Sequence, residues 1–133
     1  MKIREILCEG LSHDEAKKII KKFLQFTKKE LGLEKLPRIK IHTDTRNSVE
    51  RRSFASYGNG EVNISISNRH INDCCRSIAH EIIHYTQDLA GVLNADSGKD
   101  GSEHENEANA SAGIIMRKWA KLYPTLFSTP PVE

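Results

Sequence analysis

Apolar residues recur at two different periods along this chain, and the changes of period mark its elements. From Ser12 onward, Ala16, Ile19, Ile20, Phe23, Leu24, Thr27 and Leu31 return at helical spacing. "SHDE" at Ser12–Glu15 is a capping box, and Gly32 follows as a stop, so the pattern predicts a helix over 13–31. "RIKIH", Arg38–His42, then alternates with period two after Pro37 and predicts a strand. "SFASY" and "EVNISIS" flank "GNG" at Gly58–Gly60, which predicts a hairpin between strands at about 52–57 and 61–67. The polar stretch "TDTRNSVER" between the strands reads as a loop.

Helical spacing returns with Ile71, Cys75, Ile78, Ile82, Tyr85 and Leu89, and predicts a helix over about 71–90 that ends at Gly91. "NADSGKDG", Asn94–Gly101, has loop composition. "SEHE" at Ser102–Glu105 is a second capping box, opening a last helix with the stripe Ala108, Ala112, Ile115, Trp119 and Leu122. Pro124 and the "STPPVE" tail end regular structure. The expected class is α+β: an N-terminal helix, a small three-stranded, mostly antiparallel sheet, and two further helices in one domain spanning 1–133.

Composition narrows the class of protein. The 133 residues can bury a core without a disulfide framework, and 38% hydrophobic with 29% charged residues describe a soluble globular chain. No apolar run approaches bilayer length, and the first residues carry no long apolar segment of a secretion signal. Cys8, Cys74 and Cys75 form no disulfide or thiolate-zinc pattern, which points to reduced thiols and a cytoplasmic setting. Cys75 lies on an apolar stripe, so both neighbouring thiols are expected to be structural. A net charge of +2 is too small to argue for a nucleic-acid partner, which is therefore not expected. The lysines of the first helix, Lys17, Lys18, Lys21, Lys22, Lys28 and Lys29, read mostly as its solvated face.

The helix over 71–90 carries the candidate chemistry. Within "SIAHEIIHYTQ", His80 and His84 lie four residues apart and so share a helix face. Ile78 and Ile82 lie roughly 200° around the helix from His80, on the opposite side. Ser77, His80, Glu81, His84 and Asp88 therefore form a site face. HExxH on a helix is a zinc-peptidase pattern, with both imidazoles as ligands and Glu81 as general base. A catalytic zinc takes three protein ligands and one open position. The histidine-rich extension of the motif is absent, since Gln87 and Ala90 stand where glycine and histidine would be required. The third ligand is then sought in "SEHENEANAS". Glu105 is the partner of Ser102 in the capping box, and Glu103 suits the helix dipole. Glu107 stands past the first turn, just before Ala108, and is the expected third ligand, with Glu103 and Glu105 as the alternatives.

"HEIIH" followed by "NEANAS" resembles the gluzincins, the thermolysin-like zinc metallopeptidases. "ENEANASA" also resembles small metallopeptidases that cleave phage repressors. The resemblance covers about residues 53–120. It implies a minimal zincin-like domain, Zn2+ held by His80, His84 and Glu107, Glu81 as the base, and a peptide or protein substrate that pairs with an edge strand. It also implies that Ser111 stands where family members place an aspartate supporting a histidine. The domain carrying a transition-state histidine has no counterpart here. Tyr85, His104, Arg117 and Tyr123 are the candidate oxyanion donors. "MKIREIL" resembles the start of tailed-phage proteins, which would place the chain in a phage-infected bacterial cell.

Two other classes compete with a peptidase: a non-catalytic zinc-binding phage module that keeps the fold, and a DNA-associated protease of the Spartan type. The intact Glu81 argues against the first. Steeply salt-dependent DNA binding would mark the second.

Overall fold

A computed structural model of the protein describes residues 12–43, 55–67, 69–93 and 101–123. Cys8, the strand residues expected at 52–54, nearly all of the two loops expected at 43–51 and 94–101, and the "STPPVE" tail lie outside the described residues. The elements run α1 (His13–Leu31), β1 (Arg38–His42), β2 (Ala55–Gly58), β3 (Glu61–Ser65), α2 (Ile71–Leu89) and α3 (Glu103–Leu122). The class is α+β, as the periodicities predict.

Local chemistry sets the boundaries of α1. The Ser12 hydroxyl accepts from the Glu15 N–H at 3.1 Å, and the Glu15 carboxylate accepts from the Ser12 N–H at 3.3 Å. Gly32 closes the helix at φ 63°, a left-handed conformation that suits a residue without Cβ. Leu33 N–H then returns to the Lys28 carbonyl at 3.0 Å. The buried face is Ala16, Ile20, Phe23 and Thr27.

The sheet order is β1-β3-β2. β2 and β3 form the expected antiparallel hairpin, turning through Asn59 (φ 51°) and Gly60 (φ 74°). Two consecutive positive φ angles match the twist of the flanking strands, which is why Asn-Gly serves here. β1 pairs with β3 in parallel, Ile39 opposite Val62 and Ile41 opposite Ile64. The sheet is therefore mixed, with one pairing of each kind rather than mostly antiparallel. Alternation along a strand marks which side chains are buried but carries no information on the direction of its neighbour.

Val62 and Ile64 point from the central strand into the core, where both are fully buried. There Ile64 joins Ile71, Cys74, Cys75, Ile78 and Ile82 of α2, Ala108, Ala112 and Ile115 of α3, and Ile20 and Phe23 of α1. Phe23 and Trp119 meet edge to face at 5.1 Å and tie α1 to α3. The small side chains Ala108 and Ala112, 0% and 2% exposed, let α3 lie close along α2. Two stripe residues depart from expectation: Leu89 and Leu122, the last apolar position of each helix, are exposed because the helices run past the core. Cys74 and Cys75 are buried free thiols, each pushed above the usual range by burial, Cys74 to about 11. They pack as small hydrophobes, as the stripe implies.

Candidate metal centre

The close packing of α2 and α3 brings three side chains to one point. His80 Nε2 lies 2.8 Å from Glu105 Oε1, and His84 Nε2 lies 3.0 Å from Glu105 Oε2. The imidazoles stand edge to face with centroids 4.8 Å apart, and both present Nε2 to the Glu105 carboxylate of α3. His84 is buried and His80 half-buried. One ligand atom from each of His80, His84 and Glu105 falls within 4.8 Å of the others, the sole such group of three among the described residues.

Glu107, expected as the third ligand, is not at this point. It is exposed, and its Oε1 accepts from Gln87 Nε2 at 2.7 Å. Residues two apart on a helix differ by roughly 200°, so Glu105 and Glu107 do not both meet the imidazoles, and Glu107 reaches α2 only at Gln87. Glu105 is the one on the packed stripe: it stands three before Ala108 and seven before Ala112, on the side that α2 covers. The expectation assigned the Glu105 carboxylate to its own helix cap. In fact the cap needs only its N–H, which donates to Ser102 Oγ at 3.1 Å, and the carboxylate turns to the histidines. Glu103, the other alternative, is exposed on the first turn.

Glu81 follows His80 on α2, and burial pushes its carboxyl up from the usual 4.5 to about 7. The neighbouring His84 pulls it down by a smaller amount, and the Glu105 carboxylate pushes it up. A carboxyl that titrates near neutrality is suited to take and return a proton.

Three features escape a search for ligands. Gln87 is buried at 3% exposure, with Oε1 2.7 Å from His84 Nδ1. Its only sequence signal is position, one turn past His84. The Tyr57 hydroxyl donates to Asp88 Oδ2 at 2.5 Å, joining the edge strand β2 to the site face of α2 one turn beyond His84. Burial, and next the Asp88 carboxylate, push the Tyr57 phenol up to about 12. Arg69 Nη2 donates to Ser77 Oγ at 2.9 Å, one turn before His80.

The candidate oxyanion donors scatter. Tyr85 donates to the Lys35 carbonyl at 3.2 Å, Tyr123 stacks on Trp119 at 4.3 Å near the far end of α3, and Arg117 is exposed beside Gly113. His104 stays next to the site, and its carbonyl accepts from Gln87 Nε2 at 3.0 Å. Ser111 is half-buried on α3, while the support of His84 comes from Gln87.

The donor set fits zinc. Two imidazole nitrogens and one carboxylate are a catalytic zinc combination, and they converge from two rigid helices. With metal–ligand distances near 2.0–2.1 Å, neighbouring ligand atoms of a tetrahedron lie roughly 3.3 Å apart. His80 and His84 each stand slightly closer than that to a different oxygen of Glu105, at 2.8 and 3.0 Å, and one ligand atom from each of the three lies within 4.8 Å of the others. No helix among the described residues is long and apolar enough to cross a membrane. No family model matches the chain, and neither the curated proteins nor the solved structures give a significant match.

Proposed function

We propose that this chain is a zinc-dependent metallopeptidase of the gluzincin kind, acting on a peptide or protein substrate in the cytoplasm of a bacterial or phage-infected cell. The observation that carries the reading is the convergence of His80 and His84 with Glu105, beside a carboxyl, Glu81, held near neutral pKa. His80 and His84 offer Nε2, and Glu105 offers carboxylate oxygen. A zinc ion, if held by these three residues, would supply Lewis acidity and lower the pKa of a bound water. Glu81 takes a proton from the attacking water and passes it to the leaving amine nitrogen, which accounts for a glutamate at that position. β2, an edge strand of the sheet among the described residues, and the Tyr57–Asp88 pair border the site and suit an extended peptide lying along the sheet.

Metal analysis of the purified chain and digestion of a diverse peptide library test the reading together. The expected result is one zinc per chain and cleavage that disappears on chelation. A chain that holds zinc and cleaves nothing would favour a non-catalytic zinc module. A chain that binds no metal would make the cluster a plain ion-pair network.

A further inference from the structure

We propose that Gln87 sets the tautomer of His84, aiming its Nε2 lone pair into the site, and that Glu107 keeps Gln87 oriented for that task. The functional half of this inference rests on the metal-centre reading above. The structural half rests on hydrogen-bond direction alone.

The argument starts at the outer end. Gln87 Nε2 contacts two groups, the His104 carbonyl at 3.0 Å and Glu107 Oε1 at 2.7 Å. A backbone carbonyl and a carboxylate both accept and do not donate. An amide turned end over end would set its oxygen against two oxygens, so its orientation is decided by its partners. Gln87 Oε1 must then be the atom facing His84 Nδ1 at 2.7 Å. A carbonyl oxygen only accepts, so His84 Nδ1 carries the hydrogen.

A neutral imidazole has one N–H. With the hydrogen on Nδ1, Nε2 presents its lone pair, and it does so 3.0 Å from Glu105 Oε2. Two acceptors held face to face repel unless a proton or a metal ion lies between them. In the neutral ring the buried amide thus selects the tautomer that offers Nε2 to a metal, and opposes that nitrogen to a carboxylate. Burial of Gln87 at 3% exposure keeps water from competing for these bonds. Supporting bonds of this kind fix ring orientation and raise ligand basicity. Gln87 and Glu107 are therefore positioning residues, acting through His84.

Two measurements on full-length protein test the proposal: zinc affinity by competition with a chelator, and the ring N–H signals of protein carrying 15N-labelled histidine. Wild type is expected to show a slowly exchanging His84 Nδ1–H with and without zinc. Gln87→Leu should lose that signal and bind zinc roughly 10–100-fold more weakly. Glu107→Ala should weaken binding less, because the His104 carbonyl still holds the amide. The paired exchange Gln87→Glu with Glu107→Gln restores an acceptor for His84 and a donor for that acceptor. It leaves an oxygen against the His104 carbonyl, so it should recover the signal and part of the affinity, and it keeps the test open if Gln87→Leu does not fold. Unchanged zinc affinity and a persistent Nδ1–H in Gln87→Leu, or a hydrogen found on His84 Nε2 and none on Nδ1 in wild type, would overturn the proposal. Absence of zinc binding by wild type would count against the metal centre instead, and the N–H signal of the metal-free protein would still decide the role of Gln87.

Discussion

Glu105 Oε2 lies 3.0 Å from His84 Nε2, while Glu107, two residues on, points away from the imidazoles and accepts from Gln87. This pair assigns different work to two carboxylates on one helix turn, and mutation can tell them apart. Glu105→Ala removes an oxygen donor and leaves two imidazoles, so zinc affinity should fall by several orders of magnitude. Glu107→Ala should cost at most roughly tenfold, as expected of an outer partner. Chelator competition on the two variants reads the difference. Equal losses would return Glu107 to the ligand set.

The metal-free protein should lose stability as pH rises through neutrality, because of Glu81. Its folded-state value, about 7, stands above the usual 4.5. A raised carboxyl binds its proton more tightly in the folded chain. The stabilisation is complete below about pH 4.5 and is lost as pH climbs through about 7. The full rise would correspond to about 3 kcal/mol, and the water still reaching this half-buried group reduces that to on the order of 2 kcal/mol. Glu81→Gln keeps the size and removes the titration. Chelated Glu81→Gln should match wild type in denaturant melts near pH 4 and exceed it near pH 8, at roughly those values. Parallel pH profiles for the two proteins would refute the assignment.

Much of the architecture is legible in the sequence because it is encoded locally. Ser12, Glu15 and Gly32 mark α1 by hydrogen bonds within a turn of each end, and Asn59-Gly60 marks the hairpin by backbone sterics. His80 and His84 share a face by helix geometry alone. What the sequence hides depends on partners distant along the chain. The parallel pairing of β1 with β3 is one such case. Glu105 is another, and the signal for it is present: three positions back from Ala108, the α3 stripe continues onto Glu105. Capping logic obscures it, because the same residue serves the cap with its N–H and the histidines with its carboxylate. Gln87 is hidden more deeply, since only the packing of α3 on α2 gives its amide two acceptors.

Thr27 offers a test of the core that is independent of the site. It is fully buried on α1, and its Oγ1 has no hydrogen-bond partner among the described residues. A buried hydroxyl without a partner costs on the order of 1–3 kcal/mol. Thr27→Val replaces it with a methyl of nearly the same volume. Chemical denaturation should show a gain of about 1 kcal/mol, with zinc affinity unchanged. A loss of stability would mean that the hydroxyl is bonded in solution.

The last prediction concerns Tyr57 and Asp88, which join the edge strand to the site helix. Burial contributes most to the raised phenol, and the Asp88 carboxylate adds to it through the hydrogen bond and its charge. A phenolate opposite a carboxylate would be two anions at bonding distance, so the neutral phenol is favoured. Asp88→Asn removes the charge and keeps an acceptor. The Tyr57 value should fall from about 12 toward the ordinary 10 and stop short of it, since burial persists. Ultraviolet titration of wild type and Asp88→Asn, each referenced to its own Tyr57→Phe partner, isolates this one phenol from Tyr85 and Tyr123. If the pair borders the peptide path, Tyr57→Phe should raise KM for a cleaved peptide several-fold and leave zinc content intact. An unchanged phenol in Asp88→Asn would break the link between β2 and α2, and an unchanged KM would remove Tyr57 from the substrate path.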